Sequence, residues 1–493
     1  MNFKDATQQD IARVMLQSWN AFQHYKKLSL KARASFMRCT AEEIDALGDD
    51  LLEVAARETN LPEARLRNER ARTVFQLNSY ADACESGNWL DVRIDTGLPE
   101  RNPPKPDLRK TLTPLGPVVV FGASNFPFAY STAGGDTACA FAAGCTVVVK
   151  AHPAHAQTSE LVAVAICNAV KKSNLPEGVF AHVHGSSFDV GKALVTNQYT
   201  KAVGFTGSFQ GGKALFDWAN QRKEPIPVFA EMGSINPVFL FPKKLRQDAE
   251  AVAKLYAGSI TLGVGQFCTN PGLLVAMETE DLQTFVDKLS SEIKKVSPAK
   301  MLHLGIAKAY EEKRQTAMEQ KGVETLAVAD YETHEGLPTI ASATAEAFLN
   351  NPVLHHEVFG PYSLIIRCRN ESEMQQVVRS LEGQLTATIM ATEEDVHEHQ
   401  QIVDDIQNLC GRFVFNGVPT GVEVCLSMQH GGPFPATTDS RFTSVGADGI
   451  KRFARPIAFQ NFPDAFLPDE LKSGNPLNIW RTVNDELTKA AIV

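Results

Sequence analysis

The feature of this sequence that most constrains its fold is a regular alternation of short apolar runs and helical segments, which begins at Pro117. Apolar runs of four or five residues predict buried strands at 118–121, 146–149, 179–183 and 202–205. Segments of helical character lie between and after them, at 131–143, 157–170, 188–195 and 211–221. This alternation predicts a parallel sheet covered by helices on both faces, and ligands of such sheets bind at the carboxyl ends of the strands.

The regions on either side of this segment differ from it in character. Residues 8–95 are predicted to be helical because apolar side chains recur at helix spacing. The prolines of 101–106 exclude a helix there, and two extended runs around 108–115 predict a hairpin. Residues 236–430 repeat the alternation and indicate a second α/β domain. The tail, 455–493, carries several prolines and three phenylalanines, so it is either an arm packed on a partner subunit or a loose end.

Composition and charge exclude several classes of protein. The net charge of −9 provides no basic surface for nucleic acid or for an anionic membrane. No stretch reaches the roughly 18 apolar residues that span a bilayer, and the first residues lack the apolar core of a signal peptide, so we expect a cytoplasmic protein. The nine cysteines include no C-x-x-C pair, which argues against a zinc site and against a disulfide framework, and we predict no bound metal.

Three residues in predicted loops or strand ends are candidates for chemistry. Cys268 lies in GVGQFCTNPG, whose glycines and proline predict a loop that a substrate can reach, although a free cysteine is more often a buried hydrophobic residue. Glu231 ends an apolar run, where apolar surroundings would raise the pKa of its carboxyl group and suit a general base; the alternative is a surface carboxylate at a turn. Asn125 follows a strand, where its amide could donate to a developing oxyanion or simply occupy a turn.

A glycine-rich turn, FTGSFQGG at 205–212, joins a predicted strand to a predicted helix. Glycines at such a junction let a phosphate approach the N-terminus of the helix closely. The turn does not match the G-x-G-x-x-G pattern of dinucleotide-binding folds, and tight turns need glycine for their own geometry. By itself it is weak evidence for a nucleotide site.

Taken in order along the chain, six motifs resemble those of the aldehyde dehydrogenase superfamily. They are Asn125 in SNFP, Lys150 in VVVK, Gly207-Ser208 in FTGS, Glu231 in AEMG, Cys268 in GQFCTNPG and Glu357 in EVFGP. Three longer stretches are similar to the branch that contains 2,5-dioxovalerate (α-ketoglutarate semialdehyde) dehydrogenases: GASNFPFAYSTAGGDTACAFAAGC, VVVKAHPAHAQTSELV and GGPFPATTDSRFTSVG. The motifs extend over nearly the whole chain, so together they are far more specific than any one of them.

The resemblance implies a role for each matching residue. Cys268 would attack the aldehyde carbon, its backbone N–H and the Asn125 amide would hold the oxyanion, and Glu231 would activate the water that hydrolyses the thioester. Lys150 would bind the adenosine ribose, Glu357 the nicotinamide ribose. The full set of implied cofactor-binding residues is Lys150, His152, Pro153, Ser159, Gly207, Ser208, Gly212, Glu357 and Phe359.

NADP is the predicted cofactor, with NAD as the alternative. In NAD-selective relatives a glutamate commonly lies three residues after the ribose-binding lysine, whereas here Pro153 stands at that position. A carboxylate that would repel the 2′-phosphate is therefore missing. Lys150 is retained as a positive partner, and His152, His155 and Ser159 lie close by in sequence as candidate phosphate contacts. Proline also suits the first turn of a helix, so Pro153 could equally have a structural reason.

The family fold implies two doubly wound α/β domains and a small oligomerisation arm in a homodimer or homotetramer. The dinucleotide-binding domain would comprise 1–100 and 116–235, and the catalytic domain 236–430. The arm would comprise the hairpin at 101–115 and residues 431–493. One motif departs from the family: AEMGSIN keeps the glutamate and first glycine of the usual LELGGK-type sequence but lacks its second glycine and its lysine.

The implied reaction is the NAD(P)-dependent oxidation of an aldehyde to a carboxylate, with 2,5-dioxopentanoate as the substrate. Such an anionic substrate needs a cationic pocket, for which Arg109 and Arg441 are candidates. Three alternatives stay open at this point. They are a fatty aldehyde of medium or long chain as the substrate, transfer of the acyl group to CoA, and a catalytically silent protein on the same fold.

Overall fold

Three sheets organise the protein, and a computed structural model describes residues 3–328 and 335–492. The strands are β1 (Arg93–Asp95), β2 (Leu108–Pro114), β3 (Val118–Phe121), β4 (Val147–Lys150), β5 (Phe180–Val183), β6 (Ala202–Thr206), β7 (Val228–Glu231), β8 (Val238–Leu240), β9 (Leu273–Met277), β10 (Val323–Val328), β11 (Thr339–Thr344), β12 (Tyr362–Cys368), β13 (Gln384–Met390), β14 (Cys410–Phe415), β15 (Ala454–Gln460), β16 (Arg481–Val483) and β17 (Glu486–Thr488). The α-helices are α1 (Gln8–Tyr25), α2 (Leu30–Asp45), α3 (Gly48–Thr59), α4 (Glu63–Ser86), α5 (Gly135–Ala143), α6 (Ala156–Lys172), α7 (Phe188–Thr196), α8 (Phe209–Asn220), α9 (Pro242–Thr261), α10 (Glu280–Ile293), α11 (Leu304–Met318), α12 (Ala345–Leu349), α13 (Glu371–Ser380), α14 (Glu393–Glu398) and α15 (Gln400–Gln407).

The first sheet has the order β5-β4-β3-β6-β7, and all of its strands are parallel. Its strands are short valine-rich runs because both faces are covered. Val118 and Val120 pack into the core that α2, α4, α5 and α6 share, whereas Val119 packs into the core of α1, α7 and α8. The doubly wound arrangement predicted from the alternation is confirmed, and the helix predicted over 131–143 begins only at Gly135.

The second sheet has seven strands in the order β10-β11-β12-β9-β8-β13-β14. Six of them run parallel, and only the edge strand β10 is antiparallel to its neighbour β11. Buried aliphatic side chains fill both of its faces, one under α11–α13 and α15 and the other under α9 and α10. The second α/β unit expected from the repeated alternation is therefore present.

The third sheet corrects two predictions. Its order is β15-β2-β1-β16-β17, so the tail is built into the fold and is not a loose end. The strand Leu108–Pro114 does not fold back on itself within 101–115 but pairs antiparallel with β1 and with β15. Prolines 103, 104 and 106 carry no N–H group, so this segment cannot form the hydrogen bonds of a second strand. The partner strand is instead 93–95. The prediction that 8–95 is helical had included these residues and was wrong there.

The sheets divide the chain at positions close to the expected domain limits. The first sheet uses 118–231, the second 238–415, and the third 93–114 together with 454–488. The domain limits themselves stay a prediction. None of the described helices is long and apolar enough to cross a membrane.

Candidate active site

The loop that carries Cys268 joins α9 to β9 through an unusual turn. Gly263, Val264 and Gly265 have left-handed φ angles of 55°, 59° and 64°, a conformation that a β-branched residue such as valine rarely adopts. A Cβ atom on Gly265 would lie 2.3 Å from the carbonyl carbon of Gly360, so the loop passes directly against the turn that follows Glu357. Close packing fixes this turn and presents Cys268 in a half-buried position.

The segment AEMGSIN, which departs from the family motif at Ser234 and Ile235, also contains a residue that supports this loop. The Asn236 side-chain amide donates to the carbonyl oxygens of Cys268 at 2.9 Å and Asn270 at 3.0 Å. The Ser234 hydroxyl donates to Gln384 Oε1 at 2.7 Å, and the same oxygen accepts from the Ile235 N–H at 2.9 Å. Asn236, which follows the replaced positions, therefore holds the nucleophile loop, whereas Ser234 and Ile235 at those positions are bonded to Gln384 on β13.

Four side chains meet where β7 ends. His430 Nε2 lies 3.2 Å from Glu231 Oε1 and 3.6 Å from Cys268 Sγ, and the Ser444 hydroxyl donates to Glu231 Oε2 at 3.0 Å. Sequence reasoning predicted Glu231 and Cys268 but missed His430 and Ser444. The sequence offered one indication of them, which is their place beside a motif. Ser444 lies inside the stretch GGPFPATTDSRFTSVG, which resembles the 2,5-dioxovalerate dehydrogenase branch, and His430 immediately precedes that stretch.

The protonation states in this cluster differ from expectation. Burial of Glu231 favours the neutral acid, but His430 and Ser444 together stabilise its carboxylate more strongly, so its pKa is lowered below the usual value. The prediction of a raised pKa was wrong because the surroundings are polar rather than apolar. Burial and the adjacent Glu231 charge raise the pKa of the Cys268 thiol well above its usual range. The resting site therefore pairs a neutral thiol with an ionised carboxylate.

Asn125 lies against the Cys268 loop. Its side-chain amide donates to the Gln266 carbonyl at 3.1 Å, and its own backbone carbonyl accepts from Arg65 at 2.8 Å. Gln266 also accepts from the Leu302 N–H through its side chain, which ties this loop to the start of α11. The structure thus brings Asn125 and Cys268 together, and the oxyanion role of Asn125 stays a prediction.

Residues expected to bind a dinucleotide lie at the carboxyl ends of the first sheet. Lys150 ends β4 and is half-buried. Gly207 and Ser208 lie in the exposed turn before α8, where the Ser208 hydroxyl accepts from the Gly211 N–H at 3.2 Å. Gly212 has a packing role instead, because a Cβ atom there would lie 2.4 Å from Met232 Cγ.

Glu357 lies close to the catalytic cluster. Its carboxylate covers Gly233, where an added Cβ atom would lie 2.8 Å from Glu357 Oε2, and burial raises its pKa to about 7. Phe359 and Ser234 line the same cavity, and Lys313, which sequence reasoning missed, donates to the Glu357 carbonyl at 3.1 Å. These groups fit a dinucleotide. Lys150 at the end of β4 and the Glu357 carboxylate suit the two riboses, and the exposed N-terminus of α8 suits the pyrophosphate.

The comparisons with known proteins agree with this geometry. The sequence profile of the aldehyde dehydrogenase family matches residues 1–433. The chain belongs to the aldehyde dehydrogenase family. It is 49% identical to α-ketoglutaric semialdehyde dehydrogenase 2 of Azospirillum brasilense, over 97% of this chain and 92% of that protein. It is 44% identical to α-ketoglutaric semialdehyde dehydrogenase of Acinetobacter baylyi, over 99% and 93%.

Solved structures show the same fold. An NADP complex of glyceraldehyde-3-phosphate dehydrogenase from Methanocaldococcus jannaschii superposes with a TM-score of 0.77 at 18% identity, covering 93% of this chain and 95% of that one. An NAD⁺ complex of betaine aldehyde dehydrogenase from Staphylococcus aureus superposes with a TM-score of 0.78 at 16% identity, covering 93% and 89%. The predicted fold class is thus confirmed for this dehydrogenase.

Some expected cofactor contacts are placed differently in this dehydrogenase. Ser159 is fully buried, and its hydroxyl lies 3.2 Å from Nδ1 of the equally buried His155, which argues against a phosphate contact. Burial, helped by the neighbouring His155 and Lys150, lowers the pKa of His152 well below its usual value, so this imidazole stays neutral and offers no charge to a phosphate. Pro153 is exposed and begins a 3₁₀ turn ahead of α6, so the structural reading of this proline holds.

The two arginines proposed for a substrate carboxylate lie elsewhere in the dehydrogenase. Arg109 on β2 pairs with Asp107 and Asp464 inside the third sheet. Arg441 is exposed and pairs with Asp439 at 2.6 Å. That prediction was wrong, because the sequence contains many arginines and nothing in it marks those that reach Cys268.

Three other arginines surround the substrate side of Cys268. Arg65 lies over the rings of Phe126 and Phe267, at 5.2 and 4.9 Å from their centres. Arg72 donates to the Tyr130 hydroxyl at 3.3 Å, and its charge opposes the effects that raise the pKa of the Cys268 thiol. Arg412 on β14 lies close enough to Cys268 that a thiolate there would stabilise its positive charge. Its guanidinium group donates to the backbone carbonyls of residues 419 and 421. Cationic and aromatic side chains therefore lie near the cysteine of this aldehyde dehydrogenase.

Proposed function

We propose that this dehydrogenase oxidises α-ketoglutarate semialdehyde (2,5-dioxopentanoate) to 2-oxoglutarate with NAD or NADP. The observation that carries the proposal is the pair Arg72 and Arg412 beside Cys268. Each has a buried Nε atom with no hydrogen-bond partner among the described residues. Both relatives at 44–49% identity are named for this substrate, which supports the same conclusion.

The arginine pair suits an anionic substrate better than a fatty aldehyde. Within the described part of the chain, no carboxylate forms an ion pair with Arg65, Arg72 or Arg412. The Glu69 carboxylate on α4 interacts with the charges of Arg65 and Arg72, but its Oε1 already accepts from the Phe128 and Ala129 N–H groups. Leaving charged donors half-buried and unpaired is unfavourable, and a substrate carboxylate satisfies them through charge-assisted hydrogen bonds. An alkyl chain would leave them unsatisfied.

The first chemical step is addition of Cys268 to the aldehyde. The resting thiol gives its proton to the Glu231 carboxylate, either directly or through His430 Nε2, which lies within reach of both groups. The oxyanion that forms on the aldehyde oxygen is held by the Cys268 N–H and by the Asn125 amide, which exchanges the Gln266 carbonyl for it. When bound, the cofactor supplies the hydride acceptor that turns this thiohemiacetal into a thioester.

The second step is hydrolysis of the thioester on Cys268. Glu231, returned to its ionised form after loss of the proton to solvent, removes a proton from the attacking water. Its lowered pKa keeps it a carboxylate at neutral pH, and Ser444 and His430 hold its two oxygens in place. The products are 2-oxoglutarate and the restored thiol. This base disfavours the alternative in which CoA accepts the acyl group.

Lys150 would hold the adenosine ribose of the cofactor, and Glu357 would hold the nicotinamide ribose. The first turn of α8 would hold the pyrophosphate. We propose that NADP is accepted as well as NAD, because Pro153 removes the carboxylate that would repel the 2′-phosphate near Lys150. The half-buried Lys150 side chain remains available as a cationic partner.

We also propose that the third sheet forms the oligomerisation arm of a homodimer or homotetramer. Phe466, Trp480 and Leu487 in this arm are 77%, 48% and 69% exposed. Large apolar side chains that project from one small sheet are typical of a surface covered by another subunit.

A substrate comparison with one variant tests the proposed function. The wild-type enzyme should show a kcat/KM for 2,5-dioxopentanoate at least about 100-fold higher than for pentanal, which has the same chain length but no carboxylate. Arg72→Gln should lower the value for the oxo acid by about 10- to 100-fold, the range of a lost charged hydrogen bond, and the value for pentanal by less than about threefold.

The matched control is Arg67→Gln on the same helix. Arg67 is exposed and pairs with Asp49 and Glu63 away from the site, so neither substrate should be affected. A higher kcat/KM for a medium-chain fatty aldehyde than for the oxo acid would overturn the proposed substrate. An equal loss of kcat/KM for both substrates in Arg72→Gln would contradict the proposal that Arg72 binds the substrate carboxylate.

A further inference from the structure

The first described residues of the chain cross the carboxyl end of β5, the strand beside β4. This N-terminal strap comprises residues 3–6. The Ala6 N–H donates to the His184 carbonyl at 2.9 Å, and the Phe3 ring stacks on the His184 imidazole with 3.9 Å between centres and 6° between planes. The strap therefore lies on the loop that connects β5 to α7, at the same edge of the sheet as the proposed nucleotide site.

Asp5 of the strap occupies a site built for an anion. Its carboxylate accepts from the Ser186 N–H at 2.8 Å, from the Ser186 hydroxyl at 3.2 Å and from the Ser187 N–H at 3.1 Å. Ser187 is the N-cap of α7, so the carboxylate also meets the positive end of the helix. These N–H and hydroxyl groups lower the pKa of Asp5 to about 2, and the side chain is a fixed negative charge at every physiological pH.

This charge lies next to the residue that would bind the adenosine ribose. In the sheet, Lys150 pairs with Val183, and Ser186 follows Val183 by only three residues. The Asp5 charge also acts on Lys150, where it opposes the effect of burial on the lysine pKa. In doubly wound folds the ribose 2′-hydroxyl faces the end of the second strand, which is β4 here. A 2′-phosphate would therefore enter the field of Asp5.

The two imidazoles at the end of β5 are both in contact with a further carboxylate. Glu160 Oε2 lies 3.1 Å from His182 Nδ1 and 2.8 Å from His184 Nε2, so one carboxylate engages both rings. The histidine pair lowers the Glu160 pKa to about 2, so this group is a second fixed negative charge beside β5. Lys150 at the end of β4 and the exposed Lys4 of the strap are thus the neighbouring cations, with Asp5 and Glu160 as the opposing charges.

We propose that Asp5 is a specificity-determining residue that restricts binding of cofactors with a 2′-phosphate. It supplies from the N-terminal strap the carboxylate that Pro153 has removed from its usual place, and it fills the N–H groups of α7 that could otherwise receive a phosphate. The inference rests on the proposed use of a nicotinamide dinucleotide and goes beyond it. It predicts that the wild-type enzyme accepts NADP but binds it less tightly than a variant without the Asp5 charge would.

Equilibrium binding without aldehyde tests this role. Asp5→Asn should tighten the Kd for NADP⁺ by about threefold to tenfold in low-salt buffer, measured by isothermal titration, and leave the Kd for NAD⁺ within about twofold. A change of this size in Kd is expected when one unit charge acts on a doubly charged phosphate through a partly hydrated gap. Salt near physiological strength should reduce the difference in Kd, because it screens both charges. Asp5→Lys, which reverses the charge, should tighten NADP⁺ binding further.

The matched control is Asp10→Asn, which removes an exposed carboxylate that caps α1 and pairs with Arg13. It should change neither Kd. Equal changes for NAD⁺ and NADP⁺ in Asp5→Asn and Asp5→Lys, or no change in folded protein, would overturn the inference. These outcomes differ from failure of the proposed function, in which the wild-type enzyme would bind neither dinucleotide.

Discussion

Replacing Glu231 by glutamine should make Cys268 more acidic. In the structure the thiol is next to an ionised carboxylate, and that negative charge, together with burial, holds the Cys268 pKa far above its usual range. Glu231→Gln keeps the size and a hydrogen-bonding oxygen for Ser444 but removes the charge. The thiolate form of Cys268 is then opposed only by burial and by the Glu357 charge.

The size of this effect follows from the distance. The reactive atoms of Glu231, Cys268 and His430 all lie within 4.8 Å of one another. Two unit charges at that separation interact by about 3.5 kcal/mol at an effective dielectric constant of about 20. Divided by about 1.36 kcal/mol per pKa unit, this energy corresponds to a change of roughly two units in the midpoint of thiol reactivity.

Alkylation kinetics measure this shift without turnover. The rate of iodoacetamide reaction at Cys268, followed by mass spectrometry between about pH 6 and 10, should rise with a midpoint about two units lower in Glu231→Gln than in wild type. The midpoint is the relevant quantity, because the absolute rate also depends on access to the thiol. Identical midpoints in the two proteins would refute the electrostatic coupling between Glu231 and Cys268.

Two further predictions concern His430 and Glu357. His430→Gln should lower kcat for 2,5-dioxopentanoate by about 100-fold, because the residue that bridges the thiol and the carboxylate is lost, and wild-type turnover in this variant would contradict its role. Burial raises the Glu357 pKa to about 7, so the carboxylate needed by the cofactor ribose is lost as the pH falls through that value. The affinity for NAD should therefore weaken below about pH 7 in calorimetric titrations, and Glu357→Gln should remove this dependence; a pH-independent wild-type affinity would count against it.

Much of the fold could be predicted from short-range patterns. Runs such as 118–121 are apolar at every position because both faces of a parallel strand are buried, and this signal is local. The third sheet could not be predicted in the same way. Its strands come from residues 93–114 and 454–488, and the three-residue strand Arg93–Asp95 has no periodicity of its own. Pairing across more than three hundred residues leaves no local pattern in either partner.

The site shows the same division. Cys268, Glu231 and Asn125 could be found because each lies in a short motif at a strand end or loop. His430 and Arg72 could not, since their importance depends on the distance to Cys268, and α4 and the 430–445 segment approach it only in the folded chain. For the same reason the pKa of Glu231 was predicted with the wrong sign: the groups that lower it are about two hundred residues away in sequence.

The most direct test of the proposed chemistry is to trap its covalent intermediate. Glu231→Gln, mixed with 2,5-dioxopentanoate and NAD or NADP, should form reduced cofactor in a burst close to one equivalent per site, because the thiol is more acidic in this variant and can lose its proton to His430 or to solvent. It should then turn over slowly, because hydrolysis of the thioester lacks its base. Proteolysis of the quenched protein at acidic pH, followed by mass spectrometry, should then find the 2-oxoglutaryl thioester on the peptide that contains Cys268 and on no other cysteine peptide. A burst of reduced cofactor with Cys268 unmodified, or with the acyl group on a different cysteine, would contradict the mechanism.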